Sequence, residues 1–234
     1  ARYPAWLLAV MAAVTTAAVV LAILLGRNVD GTLVPVSSLE ELELLLPWRL
    51  PRTLVAGLTG VNLSLAGLIL QAITRNPIAS PSVLGINQGA ALGLALGLIF
   101  PAAVIGSLDL MAMIGAILAG GLTFSFAGGL GGRLDSLRLI LSGVAVGALA
   151  LALVRFTFLL EDNISRQIVQ WTTGDISGIR WPDAWPLALW TLCGAVPALL
   201  LAHKLNLLAL GEDTAQSLGL DPRRLQLLGA LLAA

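Results

Sequence analysis

Charge is scarce in this chain. Asp, Glu, Lys and Arg make up 11% of its 234 residues, where an ordinary soluble domain carries about a quarter. Too little polar surface is available to cover a globule, so part of the exterior must face lipid. Cysteine is almost absent too. Cys193, the single one, sits inside an apolar run, which excludes a disulfide framework and a cysteine-based metal site. His203, the single histidine, closes the same run, a place for an interfacial side chain more often than for a ligand. The formal net charge is zero, so nothing points to nucleic acid or to a polybasic membrane-surface protein. Catalytic constellations are missing as well: there is no His-Glu-x-x-His, no Gly-x-Ser-x-Gly, no pair of carboxylates within an apolar run and no Cys/His cluster. That argues against an intramembrane enzyme. The missing acid pair also counts against a secondary transporter driven by an ion gradient, the main alternative within the transporters.

Apolar residues fill the chain instead, at 58% of the total with a mean hydropathy of +0.94. A spanning helix needs about 20 mostly apolar residues. Runs at 5–26, 52–73, 84–105, 108–128, 138–160 and 184–203 reach that length, and a further run from Leu225 to Ala234 is too short. The expected fold class is all-α, a polytopic transmembrane helical bundle of six full spans plus a truncated seventh, forming one membrane-spanning domain over 1–234. The first run is too long for a signal peptide and lacks a small-residue cleavage site. The longest polar stretches are 27–48, 161–183 and 204–224. With the N-terminus in the cytoplasm, the inner segments carry Arg2, Arg75, Arg133, Arg138, Lys204, Arg223 and Arg224 against Asp135, Glu212, Asp213 and Asp221. This basic excess favours that orientation.

Small residues recur inside the runs, at Ala56-Gly57, Gly60, Ala66-Gly67, Gly89 to Gly97, Gly115 to Gly121 and Gly143 to Gly147. They let helix backbones approach closely. Gly128-Gly129-Leu130-Gly131-Gly132 lacks a following Gly-Lys-Ser/Thr and reads as a turn rather than a phosphate loop. Arg155 is the one charge that lies more than two residues from the end of a run. An ionisable residue at depth is functional by default, yet an arginine near a helix end can also snorkel to the headgroups; both readings stand.

Three loops are organised. Trp48-Arg49-Leu50-Pro51-Arg52 precedes the second run, with Pro51 suited to a first helical turn. Two arginines three residues apart there can dock carboxylates, or anchor the chain at the interface together with the tryptophan. Thr74-Arg75-Asn76-Pro77-Ile78-Ala79-Ser80-Pro81 is a turn in which proline ends a helix. Residues 209–220 read as a short amphipathic helix with Leu210, Ala215 and Leu218 on one face and Gly219 as C-cap. Such a helix can lie in a partner's groove or rest on lipid headgroups.

In this order, and with RLPRTLVAGLTGVNLSLAGLILQAITRNPIASPSVLGINQGAALG at 49–93, RLILSGVAVGAL at 138–149, RQIVQWTTGDISGIRW at 166–181 and LNLLALGEDTAQSLGLDPRRL at 205–225, the chain resembles the permeases of bacterial iron-siderophore, haem and vitamin B12 ABC importers, most of all their ferric-citrate branch. The resemblance implies a type II ABC importer permease of the bacterial inner membrane, working by alternating access and needing no cofactor of its own. Its implied partners are a second permease, identical or not, two cytoplasmic ATPase subunits that hydrolyse ATP, and a periplasmic binding protein that delivers an iron chelate. Matched motif by motif, the resemblance implies docking of the binding protein at Arg49 and Arg52 and coupling to the ATPase at Leu210, Gly211, Glu212, Ala215 and Gly219. It implies a cytoplasmic gate at Asp135, Ser136 and Leu137, and a short outer helix and turn across Gln167–Gly178. Arg155 would then line the pathway of an anionic chelate. Family members have about ten spans, so the chain reads as a piece that ends in the seventh.

Overall fold

A computed structural model describes residues 4–27, 30, 32–101, 107–129, 135–159 and 162–233, with the side chains of 27, 136 and 162–164 left out. Arg2, Arg133 and the Leu130-Gly131-Gly132 part of the glycine turn lie outside the described residues. In chain order the elements are α1 (Ala5–Leu24), β1 (Leu25–Arg27), β2 (Leu33–Pro35), α2 (Leu39–Thr74), α3 (Ile86–Ile99), α4 (Leu108–Phe126), α5 (Ser136–Thr157), α6 (Asp162–Thr172), α7 (Trp181–Ala209), α8 (Glu212–Ser217) and α9 (Pro222–Ala233). Helices α1, α2, α4, α5 and α7 are long and apolar enough to cross a membrane. The protein is a multi-pass membrane protein, and its helical class is as expected.

The spans themselves differ from the hydropathy runs. The third, expected over 84–105, is the 14-residue α3, roughly 21 Å at 1.5 Å per residue and so shorter than the hydrocarbon core. Its N-cap, Gly85, is left-handed at φ 75°, and Pro101 follows its C-cap. The second span starts well before residue 52. The Ser38 hydroxyl accepts from the Glu41 N–H while the Glu41 carboxylate accepts from the Ser37 N–H and hydroxyl. This reciprocal cap starts a helix at Leu39. Pro47 and Pro51 are therefore interior to the 36-residue α2, and Pro51 is not in a first turn as expected. Each proline removes one rung of the hydrogen-bond ladder. At roughly 54 Å, α2 exceeds the hydrocarbon thickness, so polar residues at its start can stand outside it.

Two units pack separately, and α2 and α7 contribute residues to each. One comprises Ala1–Gly60 and Ile176–Thr191, the other Val61–Asp175 and Leu192–Ala234. In the first, β1 and β2 form an antiparallel hairpin with Gly26 opposite Val34, across the end of the expected span 5–26 and the start of the polar stretch 27–48, where no strand was expected. Helix α1 buries no residue and exposes Trp6, Met11, Val14 and Leu21. A helix apolar all round demands lipid or protein around it.

In the second unit α3, α4 and α5 meet through glycines. A Cβ on Gly115 would lie 2.9 Å from the Gly93 nitrogen, and one on Gly85 would lie 2.9 Å from the Gly143 carbonyl oxygen. Both are closer than backbone atoms tolerate, so side chains are excluded there. The buried Thr123 hydroxyl donates to the Leu84 carbonyl at 3.0 Å. A Cβ on Gly57, Gly60, Gly67 or Gly121 would meet nothing within 4 Å outside its own helix backbone, so tight approach of a neighbouring element does not explain these glycines in the single chain. The main core gathers Leu70, Ile73, Leu84, Phe124, Leu139, Leu208 and Leu225. Amphipathic α6 seats Ile168 against Ala91, Ala95 and Val154.

Candidate docking and coupling sites

In the first unit the RLPR arginines stand on α2 with different surroundings. Arg49 Nη1 donates to the Ile23 carbonyl at 2.5 Å, in the last turn of α1. Arg52 keeps a buried Nε with no hydrogen-bond partner among the described residues. Both line an open cleft of about 830 Å³, with Ala18 and Ala22 of α1, Trp48 of α2 and Ile176 on its walls. Over the Trp48 ring lies Arg180, its guanidinium carbon 3.6 Å from the ring centroid. Arg180 was not singled out from the sequence, because nothing local links it to a residue on α2. Trp181 and Trp185 stack next to it on α7, centroids 5.9 Å apart.

In the second unit the predicted coupling residues sit on and around α8. The helix has six residues, half the expected span. Leu210, Ala215 and Leu218 do not share a face: Ala215 is fully buried, whereas Leu210 is 72% and Leu218 57% exposed. The helix is too short for the predicted periodicity, and Leu210 lies before its start. Gly211 is the N-cap, at φ 135°. After Ser217 the chain closes with the Gly219 N–H donating to the Gln216 carbonyl at 2.9 Å and the Leu220 N–H to the Ala215 carbonyl at 3.0 Å. This is a Schellman turn that needs a left-handed residue, supplied by Gly219 at φ 78°. Gly219 thus follows the C-cap Leu218, one position beyond the expected cap.

Glu212 turns inward. Its Oε1 accepts from Arg75 Nη2 at 3.3 Å and from Gln226 Nε2 at 3.2 Å, and its side chain is only 13% exposed. One carboxylate oxygen therefore ties α8 to the turn after α2 and to α9. Arg75 is the single non-glycine residue with positive φ among the described residues, at 52°. It takes the place a helix end usually gives to glycine, and the Asn76 N–H donates to the Gln71 carbonyl across it at 3.2 Å. Left-handed backbone is unfavourable for a residue with a Cβ, and such strain clusters where function needs the side chain. Sequence reading found the turn and Glu212 but not their contact, which spans 137 positions.

The residues expected to form a gate stand at the start of α5. Asp135 is its N-cap, its carboxylate accepting from the Arg138 N–H at 2.8 Å. Ser136 begins the helix, its side chain outside the described residues, and Leu137 is exposed. Arg155 lies in the last turn of α5, exposed, where a cation also complements the helix dipole. The stretch Gln167–Gly178, expected on the outer side, comprises the end of α6 and a turn with Gly174 at φ 69°.

Comparison with known proteins settles the family. The model of the FecCD transport family matches residues 4–234. The chain belongs to this family. It is 42% identical over 210 residues to the Fe(3+) dicitrate transport system permease protein FecC of Escherichia coli (strain K12), covering 83% of this chain and 63% of that one. It is 31% identical over 220 residues to the Fe(3+)-citrate import system permease protein YfmD of Bacillus subtilis (strain 168), covering 89% and 65%. The chain thus spans just under two thirds of the length of these relatives. A solved structure of an ABC transporter assigned to the metal-chelate type, in an inward-facing conformation, superposes with a TM-score of 0.76 at 28% identity, covering 94% of this chain and 68% of that one. The likeness read from the four motifs, ferric-citrate branch included, agrees with these matches.

Proposed function

We propose that this chain is the transmembrane permease subunit of an ATP-driven importer for an iron chelate, a ferric siderophore or ferric citrate, in the bacterial inner membrane with its N-terminus in the cytoplasm. The observation that carries the reading is the family match along residues 4–234 together with relatives named as ferric-citrate permeases. A second permease packs beside this one and the pathway runs between them. Two ATPase subunits seat against the α8 region and a periplasmic binding protein delivers the chelate to the arginines of α2. ATP closes the ATPase pair, α8 takes up the motion, and the pathway opens to one side at a time. The pairing of Glu212 with Arg75 and Gln226 supports this role for α8, because displacing it pulls on the ends of two other helices. Asp135, Ser136 and Leu137 stand at the helix start that gates the inner side. Arg155 lines the pathway and attracts the anionic chelate. ATP hydrolysis belongs to the partner, since the sequence has no nucleotide motif.

The test is reconstitution. The gene product containing this chain, its ATPase and its binding protein are placed in liposomes, and uptake of radiolabelled ferric citrate is followed. Uptake that needs ATP and persists with an uncoupler is expected. Uptake abolished by the uncoupler while ATP remains would show a gradient-driven carrier and overturn the reading. Arg155→Gln should slow uptake; an unchanged rate removes Arg155 from the pathway.

A further inference from the structure

We propose that Arg75 is a positioning residue that carries the motion of α8 to α5 through the turn at 75–85. This rests on the importer reading above, in which α8 meets the ATPase and the start of α5 gates the inner side. It adds the route between the two and gives Glu212 an inward task.

Stability does not account for an arginine at position 75. Its backbone is left-handed at φ 52°, which is unfavourable for any residue with a Cβ. Its pair with Glu212 is screened, because the Arg75 side chain is 43% exposed, and such pairs add little. The backbone cost and the gain from the pair nearly cancel, so a glycine would serve the fold as well. Strain of this kind persists where the side chain has a task. The Arg75 guanidinium reaches the Glu212 carboxylate, and the same oxygen accepts from the buried Gln226 of α9. Leu210 and Leu218, on either side of α8, stay exposed. They are left for the ATPase, while Glu212 ties the segment to the turn behind it.

That turn is braced along its length. Asn76 accepts from the Ile78 N–H through its side chain at 3.1 Å and from the Ala79 N–H through its carbonyl at 3.2 Å. Ser80 accepts from the Val83 N–H through its hydroxyl at 3.3 Å and from the Leu84 N–H through its carbonyl at 3.2 Å. The Pro81 carbonyl accepts from the Ile86 N–H at 3.1 Å, and the Ser82 hydroxyl from Asn87 Nδ2 at 3.0 Å. Ala79 and Leu84 are buried in the same core as Leu208 and Ala215. A segment held this way shifts as a piece, because a packed interior transmits displacement instead of absorbing it.

Its far end rests on α5, backbone against backbone. A Cβ on Gly143 would lie 2.7 Å from the Leu84 Cα, and one on Gly147 would lie 3.3 Å from the Gly85 Cα. No side chain stands between them to take up a shift. Gly143 lies about two turns along α5 from Asp135. Movement of the turn is therefore delivered to the helix that begins with the gate residues, by the kind of packed and hydrogen-bonded chain that carries coupling between sites.

The experiment uses the intact permease–ATPase complex in liposomes with its binding protein. Leu137→Cys is introduced with Cys193→Ser, and the rate of maleimide labelling is measured with and without ATP and vanadate. Chelate moved per ATP hydrolysed is measured alongside, with melting temperature and amide exchange across 205–226 as structural controls. Arg75→Gly is expected to lower transport per ATP about threefold or more, the size that residues in a coupling network carry. It should also remove most of the response of the labelling rate to ATP, while both structural controls stay near the parent's values. Glu212→Gln should share the loss although its oxygen still serves Gln226, and Arg75→Lys, which keeps the charge, should restore coupling. If the parent's labelling does not respond to ATP, the gate reading of α5 fails. If the parent responds and Arg75→Gly responds equally, the route through Arg75 is wrong while the gate reading stands. The route is also wrong if the loss in Arg75→Gly comes with a lower melting temperature or faster exchange, or if Arg75→Lys restores nothing.

Discussion

Replacing Glu212 by Ala should loosen α8 far more than removing its ionic partner does. Two interactions end on Glu212 Oε1, and their weights differ. Arg75 is 43% exposed, and a solvent-screened pair of this kind contributes about 0.5 kcal/mol. Gln226 is 6% exposed, and stranding its buried amide donor costs about 1–3 kcal/mol. Together the loss is about 2 kcal/mol, felt locally as easier opening of α8 and its turn, and it converts to roughly 30-fold faster amide exchange there. Glu212→Gln keeps an oxygen for Gln226 and gives up only the charge, so less than about fivefold is expected from a loss of about 0.5–1 kcal/mol. Arg75→Gly loses the same weak pair but relieves a left-handed backbone unfavourable by roughly 1 kcal/mol, leaving stability close to unchanged. Hydrogen exchange with mass spectrometry on peptides across 205–226 reads all three. The reasoning is refuted if Glu212→Gln is as severe as Glu212→Ala, since the ion pair would then dominate. It is equally refuted if Arg75→Gly opens α8 to the same extent.

Gly115→Ala puts a Cβ 2.9 Å from the Gly93 nitrogen and should lower the melting temperature in detergent by an amount equivalent to about 1–3 kcal/mol, whereas Gly121→Ala, with open space around it, should not. Thr123→Val removes the buried donor to the Leu84 carbonyl and should cost about 1 kcal/mol by the same assay. Asp135→Ala should cost about 1 kcal/mol through loss of the α5 cap, while Asp135→Ser restores stability; uptake lost in Asp135→Ser at normal stability would reveal a gating role beyond the cap.

Two turns were legible in the sequence because helix ends write local signatures: Gly219 after a short polar helix, and the proline-rich turn after Thr74, both where the chain changes direction. Asp135 was named only through the resemblance, and its cap on the Arg138 N–H came from the structure. Span boundaries were less legible. Hydropathy sees the apolar stretch of α2 but not the cap at Ser38 and Glu41 that carries the helix through two prolines. It also reads an apolar run across 84–105 without registering that Gly85 and Pro101 shorten the helix inside it.

By itself the sequence determined that the chain lives in a membrane, that it is helical, and to which family it belongs. Too few charges to cover a globule, runs of bilayer length and four ordered motifs suffice for that, and each is a property of residues near one another in the chain. Tertiary structure decided what the charged residues face. Arg49 reaches a carbonyl 26 positions away, Glu212 an arginine 137 positions away, and Arg180 stacks on an indole presented by another helix. A side chain's reach is fixed by its own atoms, but the partner within that reach is set by helix packing, which no local pattern records.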